Sequence, residues 1–349
     1  RMADDCLRDG VFDFWEVCRP LLADPDLVHK AAEDRLDEVR RCIGSLNCLT
    51  RLFRDLPYTC TMNPALGHEV EPEYHVTPAA VKKKIMVIGA GPAGMECAIG
   101  ARQRGHDVTV FDRAGRIGGN LLAYANNDLA RPDDLLSVVS HYEVMARKLG
   151  IELRLNTEVH AKFMRSVLHQ YDVCVVAAGA RIDRGRVAHV PGAERLIDAL
   201  DVAHGRAGVG QHVVIVGGGK VGLTLAESLR KHRGAEVTVV EADKRIAGDV
   251  KPSFKWRHAS WVEELGITCL TSTSLVKIDE RGATVRDAKG AERLVEADSV
   301  VLAAGAAPAH DLLHEFEWMV DELHGIGDAM VPRGLEQAIA DGFRLGVRL

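Results

Sequence analysis

The feature that most constrains this chain is a loop that occurs twice. Gly89-Ala90-Gly91-Pro92-Ala93-Gly94 and Gly217-Gly218-Gly219-Lys220-Val221-Gly222 both fit the pattern G-x-G-x-x-G. Each follows a short apolar run, Ile85–Ile88 or Val213–Val216, and opens a helical pattern, Met95–Arg104 or Leu223–Arg230. A further strand-like run closes each unit, at Asp107–Phe111 and at Glu236–Val240. Strand, glycine turn, helix and strand in that order read as a βαβ unit. The glycines have separate duties: a tight turn, close approach of backbone to a pyrophosphate, and close packing of helix on strand. The helix that follows presents free amides and the positive end of its dipole to the phosphates. Two such units in one chain imply an α/β protein that holds two nucleotides.

Each loop is answered by an acid roughly 20 residues on, where a carboxylate can accept from a ribose hydroxyl. These are Asp112, with Arg113 beside it, and Glu241. An acid at Glu241 repels a 2′-phosphate and favours NADH over NADPH, although Lys244 and Arg245 follow closely enough to reach such a phosphate. Lys220 reads as an exposed loop residue rather than a catalytic base. Gly118-Gly119 lies where backbone can approach a cofactor. Strand-like runs at Asp172–Ala177 and Ser299–Ala304 both end in Ala-Ala-Gly, at Gly179 and Gly305. Gly327-Asp328 precedes the last helical pattern, and Asp328 suits either a ribityl hydroxyl or a simple helix cap.

The expected architecture is two interleaved Rossmann-like domains of the glutathione-reductase type. Residues 81–190 and 300–349 form the FAD- or ADP-binding domain, and 191–299 the NAD(P)-binding domain. Residues 1–80 stand apart: a helix, a strand at Phe12–Cys18, the Asp24-Pro25-Asp26 turn, a charged helix over Lys30–Arg41, and a cysteine loop in 41–80. They are too few to bury a core of their own.

Cys42, Cys48 and Cys60 crowd one short stretch, and in a cytoplasmic enzyme that crowding suggests a metal before a disulfide. Three thiolates at this spacing can hold three irons of an iron–sulfur cluster, and Ser45 stands where a fourth cysteine would complete it. Zinc and no metal at all are the alternatives. Cys97 and Cys174 lie in helix-like and strand-like runs and read as buried structural thiols. His68-Glu69 lacks a third catalytic group, and Trp256 and Trp261 read as packing residues of the helical stretch Phe254–Leu265.

Composition narrows the partners. The 349 residues carry a net charge of −6 and no basic run beyond Lys82–Lys84, so nucleic acid and anionic membranes are not expected. No apolar stretch approaches the ~20 residues of a membrane span, and the N-terminus lacks a signal pattern. The expected ligands are a nicotinamide nucleotide and a small-molecule substrate, in the cytoplasm; the oligomeric state is open, a homo-oligomer included.

Together the motifs resemble the C-terminal part of the trimethylamine dehydrogenase and 2,4-dienoyl-CoA reductase group of flavin oxidoreductases. Arg19-Pro20-Leu21-Leu22-Ala23-Asp24-Pro25 is similar to the close of that family's FMN-binding TIM barrel, so 1–40 resembles a barrel remnant. Cys42 to Cys60 resembles its cluster loop, and Asn63-Pro64-Ala65-Leu66-Gly67-His68-Glu69 the segment leaving it. The resemblance implies a relay in which NAD(P)H reduces FAD, FAD feeds a [4Fe-4S] cluster, and the cluster feeds FMN in a barrel. It also implies that Arg19 contacts the FMN phosphate and that Ser45 replaces a cluster cysteine. Cys18 departs from the glycine of many relatives, and nearly all of the barrel is missing, so the chain reads as a fragment. An amine dehydrogenase or N-methylproline demethylase is the alternative enzyme, with a subunit like the small subunit of glutamate synthase more distant, and a non-catalytic nucleotide-holding scaffold the alternative outside enzymes.

Overall fold

Valine and isoleucine dominate the runs Lys84–Ile88, His212–Val216 and Ser299–Leu302, in which everything past the first residue is buried, as it is in Asp107–Phe111. Strands apolar on both faces belong in parallel sheets covered by helices. The computed structural model, which describes residues 2–349, contains two such sheets of five strands each. The first runs Leu323–Gly325, Val173–Val176, Lys84–Ile88, Asp107–Phe111, Glu152–Arg154, every neighbour parallel. The second runs Ile197–Asp198, Ser299–Leu302, His212–Val216, Glu236–Val240, Thr268–Leu270, again all parallel.

In each sheet the strand that feeds the glycine loop is central, and the chain leaves it to one side first and returns on the other. Both loops therefore sit at the carboxyl end of a strand where the order reverses, the position at which open α/β sheets bind ligands. The second sheet is inserted between the fourth and last strands of the first. Two crossings make that insertion: Ala180–Ile182 pairs antiparallel with Ala306–Pro308, just beyond Gly179 (φ 76°) and Gly305 (φ 74°). A three-stranded antiparallel sheet over Ser274–Glu296 covers one side of the insert.

Residues before 81 take a different form from the one expected. No strand forms at Phe12–Cys18; a strand needs a neighbour to take its amides and carbonyls, and here Phe14 is 90% exposed. The charged helix at Lys30–Arg41 is also replaced, by a short helix Leu27–Ala32 and a single 3-10 turn Leu36–Glu38. The chain turns at Asp34 (φ 58°) because its charges have distant partners. Lys30 donates to Asp24 (2.7 Å), Lys148 to Asp37 (2.8 Å) and Glu38 (2.9 Å), and Arg40 reaches Glu96.

That last pair ties the segment to the first glycine helix, Pro92–Gln103. Arg40 donates two hydrogen bonds to the fully buried Glu96 (2.8 and 3.1 Å) and a third to the Met62 carbonyl (3.1 Å). Ala23, Ile43 and Met62 join Ile85, Val87 and Ile99 in one core, so the segment borrows a core it cannot build. Among the described residues no helix is long and apolar enough to cross a membrane.

Candidate nucleotide and cysteine sites

The two glycine loops are built alike. In the first, the Ala90 amide donates to Asp112 Oδ2 (2.7 Å) and the Ala114 amide to Oδ1 (2.7 Å). In the second, the Gly218 amide donates to Glu241 Oε2 (2.7 Å) and the Asp243 amide to Oε1 (2.8 Å). Each carboxylate is thus fixed by its own loop, and each oxygen keeps a lone-pair direction for a ribose hydroxyl. The third glycines, Gly94 and Gly222, lie against the backbone of Gly89 and Gly217, where an added Cβ would stand 3.1 Å from the carbonyl carbon.

Around the first loop other expected residues converge. Gly119 faces Gly91, and a side chain on Gly119 would come within 3.1 Å of the Gly91 Cα, so two bare backbones border the space in front of the helix. Bare backbone on both sides is what the close approach of a pyrophosphate requires. Gly118 donates to the Ala90 carbonyl (2.9 Å). Gly327 (φ 63°) lies against Ala93, 2.7 Å from its methyl if it carried a Cβ, which brings Asp328 to the same loop. Asp328 accepts from the amides of Arg333 (2.8 Å) and Gly334 (3.1 Å) through one oxygen, so it orders the turn before the last helix and leaves its second oxygen without a protein donor. Arg113 is exposed at the rim. Gly179 has open space beside it, while Gly305 abuts the Arg186 side chain.

The cysteine loop forms one cleft, lined by Cys42, Ser45, Cys48 and Cys60 with Arg19 at its edge. Arg19 is exposed. Burial pushes the Cys60 thiol up, the amides of Met62 and Asn63 pull it down, and Cys42 and Cys48 are near enough to push it up again. Among the described residues no three His, Cys, Asp or Glu side chains gather around one point as a single ion requires. Ser45 shares a hydrogen bond with Thr61 (2.8 Å). Cys97 and Cys174 are buried, as expected, and burial pushes both thiols up to about 12.

Three groups of residues meet at the seam between the two sheets. Lys220 extends over the ring of Tyr124 (5.0 Å), and burial pushes the Tyr124 phenol up to about 12, with Asp249 and Asp328 adding to the effect. Arg131 donates to the Gly44 carbonyl (2.8 Å) and lies over Phe254 (5.4 Å), so it touches the cysteine loop and the inserted domain together. Arg257 sits over Phe254 and Trp261. Trp256, expected to pack, is instead 69% exposed. His68 pairs with Glu71 (2.7 Å), not Glu69, and stacks on Tyr74 (4.4 Å), which makes it a clip for the linker. Arg40, Glu96, Arg131 and Asp249 were not singled out by the sequence; their partners lie too far along the chain for spacing to reveal.

Comparison with known proteins agrees with this geometry. Residues 83–327 match the pyridine nucleotide-disulphide oxidoreductase family. A metal reductase of Desulforamulus reducens is 31% identical across 99% of this chain and 56% of its own length. A cinnamate reductase of Clostridium sporogenes is 32% identical across 99% of this chain and 51% of its own. A solved 2-naphthoyl-CoA reductase superposes with a TM-score of 0.93 at 33% identity, covering 99% of this chain and 52% of that one. The chain therefore spans about half the length of these relatives, and amine-oxidising enzymes occur among its relatives beside the reductases. With two nucleotide loops of one construction and these relatives along its whole length, the chain belongs to the pyridine nucleotide-disulphide oxidoreductase family, within the flavin-dependent group that includes trimethylamine dehydrogenase and 2,4-dienoyl-CoA reductase.

Proposed function

We propose that this chain is the electron-handling part of an NAD(P)H-dependent flavin oxidoreductase, whose substrate is reduced on an FMN barrel outside the residues present here. The observation that carries the reading is the duplicated loop: the same amide-to-acid hydrogen bond, at 2.7 Å in both copies, prepares two ribose sites. Gly89, Gly91, Gly94, Gly118, Gly119, Asp112 and Asp328 would hold FAD. Gly217, Gly219, Gly222 and Glu241 would hold the nicotinamide nucleotide, with NADH preferred because Glu241 repels a 2′-phosphate. Cys42, Cys48 and Cys60 would hold a [4Fe-4S] cluster, with Ser45 or solvent at the fourth iron. When bound, these groups supply hydride acceptance and single-electron transfer; the chain supplies their placement. The exposed Arg19 is assigned to an FMN phosphate only when barrel residues accompany it.

A second reading has one observation in its favour. Asp249 covers the second loop, as suits an amine-oxidising enzyme that keeps an adenine nucleotide in the first site and leaves the second unused.

The cluster assignment has a direct test. The full chain, purified without oxygen, is expected to carry about four irons and four sulfides, and Cys60→Ala is expected to lose most of both while keeping its flavin. Equal iron in the wild type and the variant would remove Cys60 from the ligand set.

A further inference from the structure

The two loops differ in one respect that their shared construction makes visible. In front of Gly91 there is room: a side chain added there would find its nearest neighbour, the Gly119 Cα, at 4.0 Å. In front of Gly219 there is none, because a Cβ there would stand 3.0 Å from each carboxylate oxygen of Asp249. That carboxylate accepts the Lys220 amide (2.8 Å), the first amide of a 14-residue helix whose N-cap, Gly219, offers no side-chain cap. The space next to the second glycine of such a loop is the one a pyrophosphate approaches. Asp249 therefore occupies, with a negative charge, the place of a negatively charged ligand.

The duplication explains how it gets there. The Gly118 amide bonds to the Ala90 carbonyl (2.9 Å) in the first unit, and the Ala247 amide to the Gly218 carbonyl (2.7 Å) in the second. Two residues past each of these contacts stand Asn120 and Asp249. Asn120 is neutral and turned away, donating to the Ala180 carbonyl (2.9 Å); Asp249 is charged and turned in. Behind Asp249 the chain is anchored to the cysteine loop: Lys251 bonds to Asn47, and Ser253 to Thr50 (3.0 Å), on either side of Cys48.

We propose that Asp249 is an internal competitor for the phosphates at the second glycine loop, so that a dinucleotide binds there only by displacing this carboxylate. The proposal rests on the reading of that loop as a dinucleotide site. A carboxylate and a diphosphate cannot share the same amides, and each repels the other at contact distance. The side chain is exposed, so its replacement does not disturb the core.

The test is calorimetric titration of the full chain with NAD⁺ and with ADP-ribose, comparing wild type with Asp249→Asn and Asp249→Ala. Removing the charge is expected to tighten binding on the order of tenfold at low salt, the scale of a charge at a helix end. The gain should shrink as salt rises, and flavin content should stay unchanged. Asparagine keeps an acceptor for the Lys220 amide, so alanine should gain at least as much. Equal or weaker binding in both variants, with wild type still binding NAD⁺, would overturn the competitor role and leave the dinucleotide site standing. If none of the three proteins binds NAD⁺ or ADP-ribose, the dinucleotide reading of the loop fails, and the competitor role with it.

Discussion

Replacing Gly91 with alanine is expected to leave the folded chain intact and remove its flavin. Gly91 has φ −76° and ψ 178°, a conformation that alanine adopts without strain. The nearest atom to its Cβ would be 4.0 Å away, an ordinary contact, so the apo-protein should keep its melting temperature to within a few degrees. The new methyl would nevertheless stand between the phosphates and the amides that start the helix. Affinity for FAD should fall by about 100-fold, roughly 2.7 kcal/mol, read from fluorescence titration of the apo-protein and from flavin retained on purification. Gly94→Ala would behave differently. Its Cβ would press on the Gly89 carbonyl, which is backbone and cannot yield, so the fold itself should weaken. A Gly91→Ala variant that retains full flavin affinity would mean that the cofactor's phosphates do not lie on this loop.

The second large effect concerns stability. Glu96 is 1% exposed and receives two hydrogen bonds from Arg40. Arg40→Met would strand a carboxylate inside the core, a loss of about 3–5 kcal/mol. The double variant Arg40→Met, Glu96→Leu removes both charges and should recover most of that loss, since a buried pair contributes little beyond an apolar replacement of similar size. Urea denaturation of the wild type, Arg40→Met, Glu96→Leu and the double variant gives the coupling directly. A loss below about 1 kcal/mol in the single variant would show that the pair is solvated and does not clamp residues 1–80 to the first glycine helix.

Much of this molecule was legible because its key features are local. A glycine loop, its preceding strand and its following helix lie within some twenty residues, and the acid that completes each unit follows at a regular offset. Asp112 and Glu241 could be located that way, although not the amides of Ala90 and Gly218 that fix them. The cysteine cleft was legible for the same reason. What could not be read depends on partners far away. The run Phe12–Cys18 has the alternation of a strand but no neighbouring strand. Lys30–Arg41 has the charges of a helix, yet those charges are committed to Asp24, Glu96 and Lys148. Trp256 and Trp261 share one helix, and only the face that meets Arg257 is covered. Asp249 is the instructive case. Nothing marks it in the sequence until the two units are laid on each other and its counterpart is found to be the neutral Asn120.

If the two loops bring a flavin and a nicotinamide nucleotide together, electrons should pass between them. The measurement is the flavin absorption band of the oxygen-free holoprotein on addition of NADH and, separately, NADPH. Bleaching is expected, with NADH effective at lower concentration than NADPH because of Glu241. A bound flavin that stays oxidised with both nucleotides would contradict it.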